Sequence, residues 1–128
     1  KLEVNAEYLP EVITDRKRIM QCLLNYLSNA VKYSEHGKVV LTVMVKNEVL
    51  TFSVTDTGIG IAEEDIPKLF VAFGRLGSRL SIKAGGTGLG LYLTKKIVEE
   101  LLHGKVAVES RKSEGSTFIL SIPVKLSY

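Results

Sequence analysis

The sequence predicts one α/β domain in which a sheet of about five strands carries helices on one face. Three observations predict it. Two stretches with apolar residues at helical spacing occur among runs whose apolar residues recur at every second position. Four of those runs form two pairs separated by short polar turns, which is typical of hairpins. The length of 128 residues suits a single domain, and the chain has no internal repeat.

The first elements are a strand and a long helix. Leu2 to Tyr8 alternates with a period of two, and Pro10 interrupts the alternation. Thr14 or Asp15 offers an N-cap for the helix that follows, and His36-Gly37 marks its exit. The helix carries one apolar stripe, made of Ile19, Leu23, Leu24, Leu27, Ala30 and Val31.

The remaining elements are two hairpins and two helices. Asn47-Glu48 separates two β-rich runs, 39–46 and 49–56, so these predict a hairpin. Ala62 to Phe70 predicts a short helix, although Pro67 weakens it. Gly88 to Leu102 predicts the last helix, with Leu89, Leu93, Ile97 and Leu101 in line. The final hairpin, 105–111 and 116–124, turns at Glu114-Gly115.

Charge and composition exclude some classes of function. The net charge of +3 is too small to indicate a nucleic-acid partner, and the excess lies in Val71 to Thr87, which carries Arg75, Arg79 and Lys83 without an acid. That stretch has no clear period, so it is either a solvated basic loop or a binding loop for an anion such as phosphate. The lone Cys22 cannot form an internal disulfide and suits a buried site in a cytoplasmic protein. No apolar run approaches the ~20 residues of a membrane span.

The first helix carries a polar stripe that we place opposite its apolar one. It comprises Asn25, Asn29, Lys32 and Tyr33. Asparagine is a poor interior helix former, so a merely solvated face would favour Glu or Lys. An amide oxygen can ligate a hard cation such as Mg²⁺, and a lysine can neutralise phosphate. A solvent face and a ligand face both remain open here.

Asp56 ends a strand whose alternation puts it on the same inward face as Leu50, Phe52 and Val54. A carboxylate there is costly unless it accepts hydrogen bonds. Thr57 to Gly60 follows directly, and its glycines would let a ligand approach closely. Asp56 therefore either accepts from an exocyclic amine at the floor of a pocket or caps an Asx turn.

A second glycine cluster, Gly85 to Leu91, opens the last helix, where free backbone N–H groups attract phosphate. Neither glycine cluster fits the dinucleotide pattern, and the chain has no P-loop. His36 and His103 each stand beside a glycine at a helix exit without carboxylates or cysteines at metal-ligand spacing, which favours turn or capping roles.

Five segments together resemble the catalytic and ATP-binding domain of sensor histidine kinases, which is related to Hsp90, DNA gyrase and MutL. In chain order they are N-Y-L-S-N-A-V-K-Y from Asn25, D-T-G-I-G from Asp56, L-F-V-A-F-G-R from Leu69, G-T-G-L-G-L from Gly86 and G-S-T-F from Gly115. The resemblance covers nearly the whole chain. It implies a two-layer sandwich, the Bergerat fold, with a mixed, mostly antiparallel sheet and three helices on one face. It also implies that 1–128 is one ATP-binding domain with a lid over 71–87.

The resemblance assigns roles residue by residue. Asn29 would ligate Mg²⁺, Asn25 would support the metal and phosphates, Lys32 would contact phosphate, and Tyr33 would line the nucleotide. Asp56 would accept from the adenine amino group beside Gly58, Gly60 and Ile61. Phe70 and Phe73 would anchor the lid, and Arg75 would reach the γ-phosphate during transfer, which makes Arg75 and Lys32 the candidate catalytic residues. Gly86, Thr87, Gly88, Leu89, Gly90 and Leu91 would shape the phosphate end, and Thr117 and Phe118 would close the adenine pocket.

The implied activity is that of an ATP-dependent protein histidine kinase. Neither His36 nor His103 has the context of the family's phosphoacceptor, so the acceptor is expected on a separate helical dimerisation domain, with a response regulator downstream. The isolated domain is expected to be monomeric and cytoplasmic, either in a cytoplasmic protein or as the cytoplasmic part of a membrane-bound receptor. An ATP-driven switch of the Hsp90 or gyrase type is less favoured, because Asn25 and Ser28 stand near the place of that group's catalytic glutamate. The intact Asn29, Asp56 and glycine set argues against a degenerate module that only mediates protein contacts.

Overall fold

The computed structural model describes residues 2–6, 15–33, 37–70, 90–111 and 113–125. In chain order these form strand β1 (Leu2–Ala6), helix α1 (Arg16–Tyr33), strands β2 (Val39–Lys46) and β3 (Val49–Asp56), a 3₁₀ helix (Glu63–Lys68), helix α2 (Gly90–Lys96) with a π-helical continuation (Ile97–Leu101), and strands β4 (Lys105–Arg111) and β5 (Gly115–Pro123). The predicted lid, 71–87, and the predicted positions Pro10, Thr14 and His36 lie outside the described residues.

The five strands form one sheet in the order β1-β2-β3-β5-β4. β1 runs parallel to β2, and every other neighbouring pair is antiparallel, so the predicted mixed, mostly antiparallel sheet is confirmed. The turn between β2 and β3 is tight because Asn47 and Glu48 both have positive φ, 52° and 62°. Two such residues match the right-handed twist of the paired strands.

The core lies between the sheet and the helices. In β3 and β5 every second residue is buried, as alternation predicted; these residues are Leu50, Phe52, Val54, Asp56, Ser116, Phe118, Leu120 and Ile122. α1 packs over β2 and β3, and the π-helical turn packs over β4 and β5. The predicted two-layer sandwich is therefore confirmed. None of the helices in the described part of the chain is long and apolar enough to cross a membrane.

Helix α1 begins as predicted but is rotated relative to its predicted stripe. The Asp15 carboxylate accepts from the Arg18 backbone N–H at 3.2 Å, which makes Asp15 the N-cap. The side facing the sheet is formed by Ile19, Cys22, Tyr26 and Ala30. Leu24 and Val31, predicted to be in the core, are 58% and 65% exposed. That part of the prediction was wrong.

Tyr26 explains the rotation. Its ring packs against Phe118 with centroids 5.5 Å apart, and its hydroxyl donates to the Ile119 carbonyl at 3.1 Å. A tyrosine can thus bury a large apolar surface while its polar end stays hydrogen-bonded. Because Cys22 and Tyr26 face inward, Asn25 and Asn29 lie beside the buried side of α1, not opposite it as predicted. Burial raises the pKa of the Cys22 thiol to about 11, as expected for an unreactive core cysteine.

The last helix lies where it was predicted, but a different set of its side chains faces the sheet. Thr94, Ile97, Val98 and Leu102 are buried, whereas Leu93 and Leu101 are each 47% exposed. The wider π-helical turn changes which side chains face the sheet. His103 follows with a φ of 57°, and the Gly104 N–H donates to the Val98 carbonyl at 2.8 Å, which confirms the predicted turn role of His103.

Candidate functional site

Asp56 closes β3 as a buried carboxylate that is 4% exposed. Its Oδ1 accepts from the Gly58 backbone N–H at 2.9 Å. Burial raises the pKa of the Asp56 carboxyl above its usual 3.8, against the opposing effect of the Gly58 and Ser116 backbone N–H groups. Asp56 therefore forms the Asx-type turn of one sequence alternative and also faces inward, while its acceptance from an exocyclic amine stays a prediction. It retains acceptor capacity for a ligand.

The segment after Asp56 is fixed at both ends. The Thr57 N–H donates to the Lys38 carbonyl at 3.2 Å, and the Lys38 N–H donates to the Thr57 hydroxyl at 3.0 Å. Gly60 is buried with a φ of 70°, a conformation that favours glycine. Ile61, also buried, joins the core cluster. The chain therefore leaves the sheet along a defined path beside Asp56.

A hydroxyl pair that the sequence interpretation missed holds the far end of this segment. The Ile61 N–H donates to Ser110 Oγ at 2.8 Å, and Ser110 donates to the Gly115 carbonyl at 2.9 Å. Ser116 Oγ lies 2.8 Å from Ser110 Oγ. Since Ser110 has one proton and gives it to Gly115, Ser116 is the donor of this pair. Alternation along β4 could have revealed Ser110, because it shares a face with Val106 and Val108.

The β4–β5 turn adds two contacts to the same segment. The Ser113 N–H donates to the Ile59 carbonyl at 2.6 Å. Gly115 has a φ of 90°, and a Cβ there would collide with the Asp56 carbonyl oxygen. The turn is therefore seated directly on the backbone that carries Asp56, and only glycine fits at the contact.

Removing the Ser110 hydroxyl should loosen this arrangement. In Ser110→Ala the Ile61 N–H and the Gly115 carbonyl both lose a partner, so we expect the free energy of unfolding to fall by about 1–3 kcal/mol. Urea denaturation would measure it. Ser121→Ala is the matched control, because the Ser121 hydroxyl lies 3.3 Å from that of Thr51, between two half-buried side chains. Equal losses in the two variants would contradict a special role for Ser110.

The predicted residue Thr117 does not lie in this site. Its hydroxyl is 3.0 Å from that of Thr55, and both are on the sheet face away from the helices. Ser116 is buried and pairs with Asp56 in the strand register, so Ser116 takes the place predicted for Thr117. The prediction placed Thr117 on the helix-facing side of β5, but Thr117 lies on the opposite side. Phe118 is buried on the helix-facing side, against Tyr26.

The polar side of α1 meets the first turn of α2. Asn25 Nδ2 donates to Thr94 Oγ1 at 2.6 Å, and the Thr94 hydroxyl donates to the Gly90 carbonyl at 3.0 Å. A Cβ on Gly90 would lie 2.6 Å from Asn25 Oδ1, so a glycine makes room for the amide. The structure thus brings together Asn25 and Gly90, and their assignment to the phosphate end stays a prediction. Leu91 is half-buried and packs against the core.

Asn29 follows Asn25 by one turn of α1 and is half-buried. Among the described residues, no side chain forms a hydrogen bond with its amide. No group of three or more His, Cys, Asp or Glu side chains in the described part of the chain could hold a metal. An amide oxygen still suits Mg²⁺, which binds through one or two protein ligands together with phosphates and waters. The Asn29 amide oxygen therefore suits a magnesium ion that is also bound by a nucleotide better than a metal site made of protein ligands alone.

Several predicted site residues lie wholly or partly outside the described residues. Lys32 and Tyr33 belong to the last turn of α1, but their side chains are outside the described residues. The same holds for the whole of Phe73, Arg75, Gly86, Thr87, Gly88 and Leu89.

A cleft of about 920 Å³ opens beside Ser110, between the 3₁₀ helix and β4. Its lining includes the exposed acids Glu63, Glu109 and Glu114. Three carboxylates would repel a triphosphate. Helix α1, which carries Asn25, has no acidic residue over Arg16–Tyr33.

Comparison with known proteins shows the family to which the chain belongs. Residues 14–126 match the HATPase_c family, described as histidine kinase-, DNA gyrase B- and HSP90-like ATPases. The chain is 48% identical over 111 residues to the circadian input-output histidine kinase CikA of Synechococcus elongatus, covering 85% of this chain and 14% of CikA. It is 40% identical over 113 residues to the sensor protein GacS of Pseudomonas syringae pv. syringae, covering 84% of this chain and 12% of GacS.

Solved structures show the same fold. The catalytic domain of the histidine kinase ThkA superposes with a TM-score of 0.82 at 32% identity, covering 97% of this chain and 78% of that one. Full-length ShkA in complex with AMPPNP gives a TM-score of 0.81 at 32% identity, covering 95% and 25%. This chain belongs to the family of histidine kinase-, DNA gyrase B- and HSP90-like ATPases, as the catalytic ATP-binding domain of a sensor histidine kinase.

Proposed function

We propose that this domain binds ATP together with Mg²⁺ and donates the γ-phosphoryl group to a histidine on a separate helical dimerisation domain. The single observation that carries the proposal is the buried Asp56 carboxylate, fixed by the Gly58 N–H at the end of β3. The relatives support it, because CikA is a histidine kinase, GacS is a sensor protein and the ShkA structure holds an ATP analogue.

At the adenine end, Asp56 would accept a hydrogen bond from the exocyclic amine. An ionised carboxylate only accepts hydrogen bonds, so it favours an amino group over a carbonyl at that position of the purine. Gly58 and Gly60 keep side chains away from the ring edge, and Ile61 supplies an apolar neighbour. Ser116, the neighbour of Asp56 in the register, replaces Thr117 in this proposal.

At the phosphate end, Asn29 would hold Mg²⁺, whose charge would offset that of the phosphates. Asn25 and Lys32 would support the same groups, and Tyr33 would line the nucleotide. Gly86, Gly88 and Gly90 would leave space for the phosphates beside backbone N–H groups, with Thr87, Leu89 and Leu91 in the same segment. Phe73 would belong to the lid, and Arg75 would stabilise the charge that develops on the γ-phosphate during transfer.

The attacking imidazole would come from outside this domain, since neither His36 nor His103 has the sequence context of the family's phosphoacceptor. The chain spans 14% of CikA and 12% of GacS, and the acceptor domain would lie outside the matched stretch. A response regulator would then take the phosphoryl group in a two-component relay, and the domain would work in the cytoplasm.

Titration calorimetry should detect ATP binding that depends on Mg²⁺. We expect Asn29→Ala to remove most of the gain in affinity that Mg²⁺ gives, because that variant lacks the amide oxygen. Ser28→Ala, an exposed neighbour on α1, should behave like the parent domain. Transfer of ³²P from labelled ATP to a supplied histidine-bearing helical domain would test the catalytic step. The absence of ATP binding with Mg²⁺ present would refute the proposal.

A further inference from the structure

We propose that Thr94 is a positioning residue that decides which atom of Asn25 faces the phosphate end of the nucleotide site. The inference rests on the proposed function of Asn25 as a support for metal and phosphates. Thr94 lies on α2. The role suggested for the start of this helix, at the phosphate end, otherwise depends on glycines and backbone N–H groups. It is 2% exposed, so its hydroxyl has to find partners within the protein.

The protons of this cluster can be assigned one by one. A threonine hydroxyl has a single proton, and Thr94 gives it to the Gly90 carbonyl at 3.0 Å. Towards Asn25 the hydroxyl can then only accept. The amide of Asn25 must therefore present its NH₂ group, and Nδ2 is indeed the atom 2.6 Å from Thr94 Oγ1.

This assignment fixes the other half of the amide. With Nδ2 held by Thr94, Oδ1 is the atom next to Gly90, where a Cβ would lie only 2.6 Å from it. Asn25 thus presents a hydrogen-bond acceptor beside the first residue of α2. An acceptor can take hydrogen bonds from water molecules bound to a magnesium ion, whereas an NH₂ group in the same place would repel the cation.

Without the Thr94 hydroxyl, both orientations of the amide become available. Thr94→Val keeps the shape of the side chain but removes the acceptor, so nothing then distinguishes Nδ2 from Oδ1 on that side. Thr94→Ser keeps the hydroxyl and loses only a methyl group. A residue that merely fills space would show the reverse order of effects, because the methyl group would then matter more than the hydroxyl.

The test compares these two variants by calorimetry with ATP, with and without Mg²⁺. We expect Thr94→Val to weaken binding of the magnesium complex about tenfold, the effect of losing one buried hydrogen bond. Binding of ATP without Mg²⁺ should change less than about threefold, and Thr94→Ser should stay within about twofold of the parent in both titrations. Equal affinities of Thr94→Val and the parent for Mg-ATP would overturn the inference, as would a loss in Thr94→Ser equal to that in Thr94→Val.

Two further measurements separate positioning from folding and from the proposed function. In an Asn25→Ala background, Thr94→Val should have no additional effect on Mg-ATP affinity if it acts through Asn25, and a full additional effect would contradict the inference. The side-chain NH₂ signals of Asn25 in a ¹H–¹⁵N spectrum of the nucleotide-free domain should move in Thr94→Val and remain in Thr94→Ser. If the parent domain fails to bind ATP, the proposed function fails, while this spectrum still decides whether Thr94 orients Asn25.

Discussion

Replacing Asp56 with asparagine should weaken ATP binding by about a hundredfold and change the free energy of unfolding by less than about 1.5 kcal/mol. The asparagine keeps an oxygen that can accept from the Gly58 N–H. Its NH₂ group would then face either the Ser116 N–H or the exocyclic amine of adenine, and two donors facing each other in a buried site are costly. The variant therefore tests recognition more than folding.

The small expected change in stability follows from the pKa of Asp56. Burial raises that pKa in the folded domain, so folding favours the protonated acid. The resulting contribution to stability is fully present below the unfolded value of about 3.8 and is lost as the pH rises through the folded pKa. At neutral pH the ionised Asp56 lowers the stability of the nucleotide-free domain. Asparagine removes this cost, which offsets the lost hydrogen bond.

Calorimetry with ATP and urea unfolding over a series of pH values would measure both effects. The difference in stability between Asp56→Asn and the parent should shift in favour of the variant as the pH rises above about 3.8. Asp15→Asn is the matched control, since asparagine is an equally good N-cap and Asp15 is exposed. An Asp56→Asn domain that unfolds readily but binds ATP normally would show that the carboxylate is structural.

Gly115→Ala should have the largest effect on stability among single substitutions in the site, a loss of about 2–5 kcal/mol. The substitution combines a φ of 90°, which an L side chain rarely adopts, with a collision between its Cβ and the Asp56 carbonyl oxygen. Relief of that collision would displace the end of β3. We therefore expect ATP affinity to fall as well, even in the fraction that remains folded.

Gly104→Ala provides the control for this second effect. A Cβ at Gly104 would collide with the Ser121 carbonyl and lie 2.8 Å from Ile122 Cγ2, so it also disturbs the buried backbone. Gly104 follows the π-helical turn and contacts the C-terminal part of β5, away from Asp56. Thermal unfolding should show both variants to be destabilised, while calorimetry below their melting temperatures should show weakened ATP binding in Gly115→Ala alone. Equal affinities of the two variants would argue against transmission from Gly115 to Asp56.

The inward position of Asp56 could be predicted because strand alternation is a local property. Once Leu50, Phe52 and Val54 face the core, the next residue of the same parity must do so too. The hairpins, the N-cap at Asp15 and the turn at His103 could be predicted for the same reason, since each depends on a few consecutive residues.

Errors arose where a side chain had to be placed relative to a distant element. Leu24 and Val31 are exposed because Tyr26 faces the sheet and donates to a carbonyl on β5. Helical spacing alone does not show whether a tyrosine or a leucine will face the sheet. Thr117 was assigned to the pocket because its segment resembled a motif, but the register with β3 places Ser116 beside Asp56.

By itself the sequence determined the family, the sandwich and the inward position of Asp56, because periodicity and short motifs are carried by neighbouring residues. Only the tertiary structure decided how those groups are held, since the bonds concerned join positions far apart in the chain. Asn25 on α1 donates a hydrogen bond to Thr94 on α2, and the Ile61 N–H after β3 donates to Ser110 on β4. A hydrogen bond requires atoms within about 3 Å, and that proximity is set by the packing of whole elements.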